Sequence, residues 1–199
     1  MRMILAVLAA ALLIACSDAP PPEKKIAEPP PTPVTGRQAF QQTFGMARTW
    51  AGDAQPIQVR SINLPNPKSE DGKAGAWEIV YVSPSRSRQR IYTWSAVEQG
   101  SDLHKGVFGA PDDVWSAHGQ QRPFLAAAIK IDTPEALQTA IEHSKEYFKD
   151  SKPKPQVNFQ LEWTSYHPSV TWRVYWGNSI SVAEWTAFID ASSGAYLGH

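Results

Sequence analysis

Cysteine is almost absent from this chain: Cys16 is the single one among 199 residues. A lone thiol closes no intramolecular disulfide, so the fold must rest on burial and hydrogen bonding. Charge excess is absent as well, with 19 Lys and Arg against 19 Asp and Glu. Without residues 1–15, which hold one arginine, 184 residues remain with 18 basic and 19 acidic groups, a net charge of −1. That balance excludes the basic footprint of a nucleic-acid binder and gives no strong pull towards anionic lipid. The apolar run 4–14 has 11 residues, about half the ~20 that a membrane-spanning helix needs. HExxH, GxSxG and a glycine-rich phosphate loop are all missing, which removes the best-marked zinc, serine-hydrolase and nucleotide chemistries. The histidines 104, 118, 143, 167 and 199 are not spaced as a metal pair on one helix turn or strand. His118, near Asp112 and Asp113, is the one grouping of metal-ligating types. The expectation is a protein without cofactor and without catalysis.

What is present begins at the N-terminus. Arg2 precedes the apolar run, which closes on Leu13-Ile14-Ala15-Cys16. Its length and flanks suit the h-region of a signal peptide, with small residues near the cut. This stretch resembles the signal peptide and lipobox of bacterial lipoproteins. The resemblance implies cleavage after residue 15, a diacylglyceryl group on the Cys16 sulfur and acyl chains such as palmitate. Ser17 after the cysteine implies transport to the outer membrane, with the domain facing the periplasm. Residues 17–34 hold seven of the 17 prolines. Such a segment builds no core and extends by ~3.1 Å per residue, so it reads as a solvated tether of up to roughly 55 Å.

The remainder reads as a helix-strand-strand-strand pattern occurring twice. Thr35-Gly36-Arg37-Gln38 is a capping box, and Phe40, Thr43, Phe44, Ala47 and Trp50 then recur at helical spacing. Thr133-Pro134 opens the second helix, with threonine as cap and proline at the first helical position; Leu137, Ala140, Ile141, Tyr147 and Phe148 form its stripe. Ala39-Phe40-Gln41 lines up with Ala136-Leu137-Gln138, and Trp77-Glu78-Ile79 with Trp172-Arg173-Val174. Expected strands are 57–64, 77–82 and 90–97 in the first unit, with a slip in alternation near Ser61. In the second they are 157–163, 171–176 and 183–190, with a tight hairpin at Gly177-Asn178. Between the units, Phe124-Leu125-Ala126-Ala127-Ala128-Ile129-Lys130-Ile131 reads as a buried strand. The expected fold class is α+β: two tandem units, each one helix on a three-stranded antiparallel sheet, over 35–106 and 132–199. The segment 107–131 connects them, either as one merged domain or as two.

The ending Asp190-Ala191-Ser192-Ser193-Gly194-Ala195-Tyr196-Leu197 is a strand running into a tight Asp–Gly turn, after which Leu197 is expected to return to the core. With it, residues 133–197 resemble the PepSY domain, and residues 35–103 do so more weakly, since Ala96 stands where Asp190 would. The resemblance implies a non-catalytic module that binds or inhibits peptidases, or regulates them, in the cell envelope. A structural scaffold and a binder of small ligands or glycans are the alternatives. Eight tryptophans are present. Trp50, Trp77, Trp172 and Trp185 are expected in the core, while Trp94, Trp115 and Trp176 are candidates for an aromatic binding surface. Strand alternation assigns Arg173, Tyr175, Glu184, Thr186 and Phe188 to the outer sheet face, where Arg173, Tyr175, Glu184 and Phe188 are the candidate contacts for an envelope protein partner. Arg86, Arg88 and Arg90 read as a solvated hairpin.

Overall fold

Local hydrogen-bond chemistry sets both helices. The computed structural model describes residues 29–199; the expected signal segment, Cys16 and most of the expected tether lie outside the described residues. In the unit Pro31–His199, helix α1 (Gly36–Trp50) starts on the expected box. The Thr35 hydroxyl accepts from Gln38 N–H at 3.2 Å and the Gln38 amide oxygen accepts from Thr35 N–H at 3.0 Å. It buries Ala39, Phe40, Thr43 and Ala47, the one-face spacing of a helix on a sheet. Helix α2 (Thr133–His143) starts one residue earlier than the threonine-cap reading, because Asp132 is its N-cap and Pro134 stands at the second helical position. Glu135 reaches back to Asp132 N–H at 3.1 Å and completes a second capping box. The aspartate wins the cap because Thr133 is used elsewhere: its hydroxyl donates to the Gly72 carbonyl at 2.5 Å and accepts from Gly36 N–H at 3.0 Å.

Eleven strands accompany the helices among the described residues: β1 (Val34–Thr35), β2 (Gln55–Ile62), β3 (Lys73–Ala74), β4 (Ala76–Ser83), β5 (Arg88–Ser95), β6 (Gly106–Gly109), β7 (Asp113–Val114), β8 (Val157–Glu162), β9 (Thr171–Trp176), β10 (Trp185–Asp190) and β11 (Tyr196–Gly198). β1 and β3 form a two-stranded sheet, so the residue ending the expected tether, Val34, is already paired, with Ala74. The other nine form one sheet in the order β11-β10-β9-β8-β2-β4-β5-β6, with β7 also pairing β5. The two halves meet at β2 and β8, where Val59 opposes Leu161. Outward from that junction the order is mirrored: β4 and β9, β5 and β10, β6 and β11.

Register puts one face of the sheet in the core. Ile79, Val59, Leu161, Trp172 and Ile189 lie in one cross-strand row, each fully buried. Both helices pack on this face. Tyr81 and Thr43 share a 2.8 Å hydroxyl contact under α1, and Trp185 donates its indole N–H to Ser144 at 2.7 Å beside the end of α2. Burial pushes the Tyr81 phenol far above its ordinary value, so it stays protonated and serves as a buried donor.

Several expected details differ. The bulge in β2 sits at Pro56–Gln58, not near Ser61, and Ser61 instead turns its hydroxyl to Phe159 N–H at 2.9 Å. Residues 124–131 form no strand. They run past the sheet end, with a short 3-10 turn at Ala126–Ala128, held by Phe124 N–H on the Pro56 carbonyl and by Lys130 and Ile131 N–H on the Ala191 carbonyl. The apolar run is explained by Phe124 and Ile129, which enter the core singly. Gly177-Asn178 is no two-residue hairpin, because eight residues separate Trp176 from Trp185, including a turn at Ile180–Val182. Leu197 is half-buried, in an edge strand three residues long, and Ala191 takes the core position in that turn.

Candidate functional site

The second face of the sheet carries no helix. Its register row reads Phe108, Thr93, Glu78, Arg60, Gln160, Arg173, Phe188 across seven strands. Arg60 and Glu78 pair at 2.8 Å. Arg173 and Glu162 approach at 3.4 Å, and the Arg173 guanidinium lies 5.2 Å from the centre of the Phe188 ring.

The connecting segment crosses this face and creates a cleft. Arg88 anchors it, reaching the Asp112 carboxylate at 3.4 Å and its carbonyl at 3.0 Å. Trp115 N–H donates to the Ser87 carbonyl at 2.9 Å, and Gln121 donates its amide to Glu162 at 2.8 Å. Beneath lies a hollow of about 520 Å³, with Gln160, Glu162 and Arg173 as its floor. Gln89, Trp115, Gln120 and Tyr166 are among its walls. A smaller, apolar hollow of about 310 Å³ opens by Phe124, Leu125, Trp163 and Val170.

No protein-family model, curated protein or solved structure matches this chain.

The outer-face residues named from alternation divide. Arg173 lines the cleft and Phe188 supports it. Tyr175 is on the same face but only 5% exposed, with burial raising its phenol pKa, so it offers little contact surface. Glu184 does not share that face. It precedes β10, and its carboxylate accepts from the Tyr147 hydroxyl at 3.1 Å, while Tyr147 stacks on Trp185 beside α2. Alternation fails there because the strand begins only at Trp185. Cys16 lies outside the described residues.

Among the tryptophans, Trp77 and Trp172 are buried as expected, and Trp50 and Trp185 pack against the core while partly exposed. Trp94 and Trp176 are not surface rings: they are 7% and 4% exposed, and Trp94 donates to the Gln42 side chain at 2.9 Å. Trp115 alone of that trio reaches the cleft. The three arginines do structural work rather than standing free in solvent. Arg86 donates to the Trp50 carbonyl at 2.7 Å, at the end of α1, Arg88 holds Asp112, and Arg90 lies over the Trp50 ring at 5.4 Å. Asp112 is thereby committed to Arg88, which holds its pKa below the ordinary value. Among the described residues no group of three or more His, Cys, Asp or Glu could hold a metal ion. The glutamines of the cleft were missed by sequence reasoning. Gln160 alone has a signal, the polar alternation of β8, and it gains meaning only once residues 114–121 lie across it.

Proposed function

We propose that this chain is a lipid-anchored protein of the bacterial cell envelope, attached through Cys16, whose α+β domain is a non-catalytic, PepSY-like module that binds a protein partner. Its action on that partner is inhibitory or regulatory, with a peptidase as the first candidate. The observation that carries the reading is the helix-free sheet face. Ile91 and Phe108 are exposed on it, on neighbouring strands. Apolar side chains grouped on an open sheet surface favour protein contact. The cleft's carboxylate, Glu162, is engaged by Gln121 and Arg173, which supports a binding role. The Asp190 turn, on which the PepSY likeness rests, supports the module assignment.

The test has two arms. Metabolic labelling with palmitate should mark the parent chain and not Cys16→Ser, and the label should fractionate with outer membrane. An intact chain and an Ile91→Asp/Phe108→Asp chain are then used to recover partners from crosslinked envelope. One peptidase recovered only by the intact chain, and slowed by it in stoichiometric amount, establishes the reading. The same proteins recovered by both forms, or an unlabelled Cys16, count against it.

A further inference from the structure

Gln160 occupies a place that stability alone does not explain. It lies mid-sheet in β8, is 5% exposed, lines the cleft, and its amide makes no hydrogen bond to another described residue. Its cross-strand neighbour Arg173 has a buried Nε that is also without a partner. Buried polar groups are nearly always paired, and leaving one unpaired is costly. A buried guanidinium nitrogen without a partner, beside a glutamine whose amide opens into the cleft, marks a ligand site, of the kind in which function is kept against stability.

From this geometry we propose that the cleft binds a short, neutral oligosaccharide. Its volume of about 520 Å³ lies within the roughly 300–1,000 Å³ of small-molecule sites. Its polar groups suit vicinal hydroxyls, each of which donates and accepts. The primary amides of Gln89, Gln120 and Gln160 offer both functions in one plane, and the Arg173 guanidinium borders the same floor. Glu162 and Arg173 oppose each other, so the floor is close to neutral and selects an uncharged ligand. Trp115 and Tyr166, the latter 72% exposed, present flat faces of the kind that pack on the C–H side of a pyranose. An extended peptide is the less suited occupant. β8 is hydrogen-bonded to β2 on one side and β9 on the other, so the floor has no free strand edge for a peptide to join.

The experiment titrates the full-length protein, in detergent micelles, with maltotriose, cellotriose, chitotriose, an anionic trigalacturonate and a neutral Gly-Ser hexapeptide, read by calorimetry and tryptophan fluorescence. The expected result is saturable one-to-one binding of a neutral trisaccharide. Gln160→Leu should weaken it by roughly tenfold or more, the equivalent of one well-placed hydrogen bond, while its thermal midpoint stays level or rises. A merely structural glutamine would lower that midpoint. Should Gln160→Leu fail to fold, Gln120→Ala on the exposed loop decides, with the same loss of affinity expected. Saturation by the peptide or the anionic sugar alone, no binding of any probe, or unchanged affinity in the variants overturns the proposal. None of these outcomes bears on the protein partner, which is tested through Ile91 and Phe108.

Discussion

Trp77 and Trp172 occupy equivalent places in the two halves and meet over one glycine. Each is the second residue of its strand. Each donates its indole N–H to the carbonyl just ahead of a helix N-cap, Val34 at 3.0 Å and Ile131 at 2.9 Å. A Cβ on Gly36 would lie 2.8 Å from the tip of Trp172 and 3.2 Å from that of Trp77. The halves are thus locked at the helix starts as well as through β2 and β8.

Gly36→Ala is therefore expected to destabilise, although alanine is the better helix former by about 1 kcal/mol. Overpacking two fixed rings costs about 1–3 kcal/mol, and Thr133 at 3.0 Å leaves no room to relax. Urea denaturation should show a lower midpoint. A midpoint at or above that of the parent would mean the rings are not fixed.

Trp77→Phe and Trp172→Phe should each cost roughly 1–3 kcal/mol, from a lost hydrogen bond and an unpaired carbonyl. Because both rings touch the same site, the double variant should depart from additivity by about 0.5 kcal/mol or more. A strictly additive thermodynamic cycle would contradict the shared contact.

Asp132 serves two helices. Its Oδ1 accepts from Thr133 N–H at 2.7 Å, in its own helix, and from Arg37 N–H at 3.0 Å, in the first turn of α1. Asp132→Ala orphans donors at both, so the loss should approach about 2 kcal/mol, above the typical ~1 kcal/mol of a single cap. Asp132→Asn retains an acceptor and should lose less. Thermal unfolding of the three proteins side by side checks the order.

Acid should unfold this protein through two carboxylates. The Ser83 hydroxyl, at 2.6 Å, and Ser85 N–H, at 2.9 Å, hold Asp53 at about 2. Burial pushes Asp190 up, but hydrogen bonds from Ser169, Ser192 and Ser193 outweigh it and hold it well below the usual carboxylate range. Both pKa values are depressed in the folded state, so the stabilisation is fully present above the unfolded value near ~4. It disappears as pH falls through the folded values. Stability measured from pH 6 to pH 2 should fall most below about pH 4. Asp190→Asn should be less stable at pH 7 with a shallower acid limb. An unchanged limb would remove Asp190 from the account.

Removing residues 133–199 should abolish folding of the remainder. β2 would lose its partner β8, and Trp77 would lose the cover supplied by the second half. An exposed central strand edge favours aggregation. Near-ultraviolet circular dichroism should show no fixed tertiary signal. A cooperative unfolding transition in the truncated chain would show that the first half stands alone.

The parts legible in the sequence are those closed within a few residues. The Thr35–Gln38 box, the helical stripe Phe40–Thr43–Ala47, the alternation of Val157–Glu162 and the Asp190–Gly194 turn all depend on near neighbours, so residue type at short spacing decides them. The same local logic misled where a distant group intervened. Thr133 reads as a cap until Gly36 and Gly72, 97 and 61 residues away, claim its hydroxyl. Residues 124–131 read as a strand because apolar runs do not show what they pack against. Sequence by itself determined the start of α1, the alternating faces of β8 and the α+β class. Only the tertiary structure decided that two α-β-β-β stretches share one nine-stranded sheet, that Asp132 caps both helices, and that residues 114–121 turn the polar face of β8 into a cleft. Those features depend on pairings across about a hundred residues, whose register is set by the burial of a whole face rather than by any local pattern.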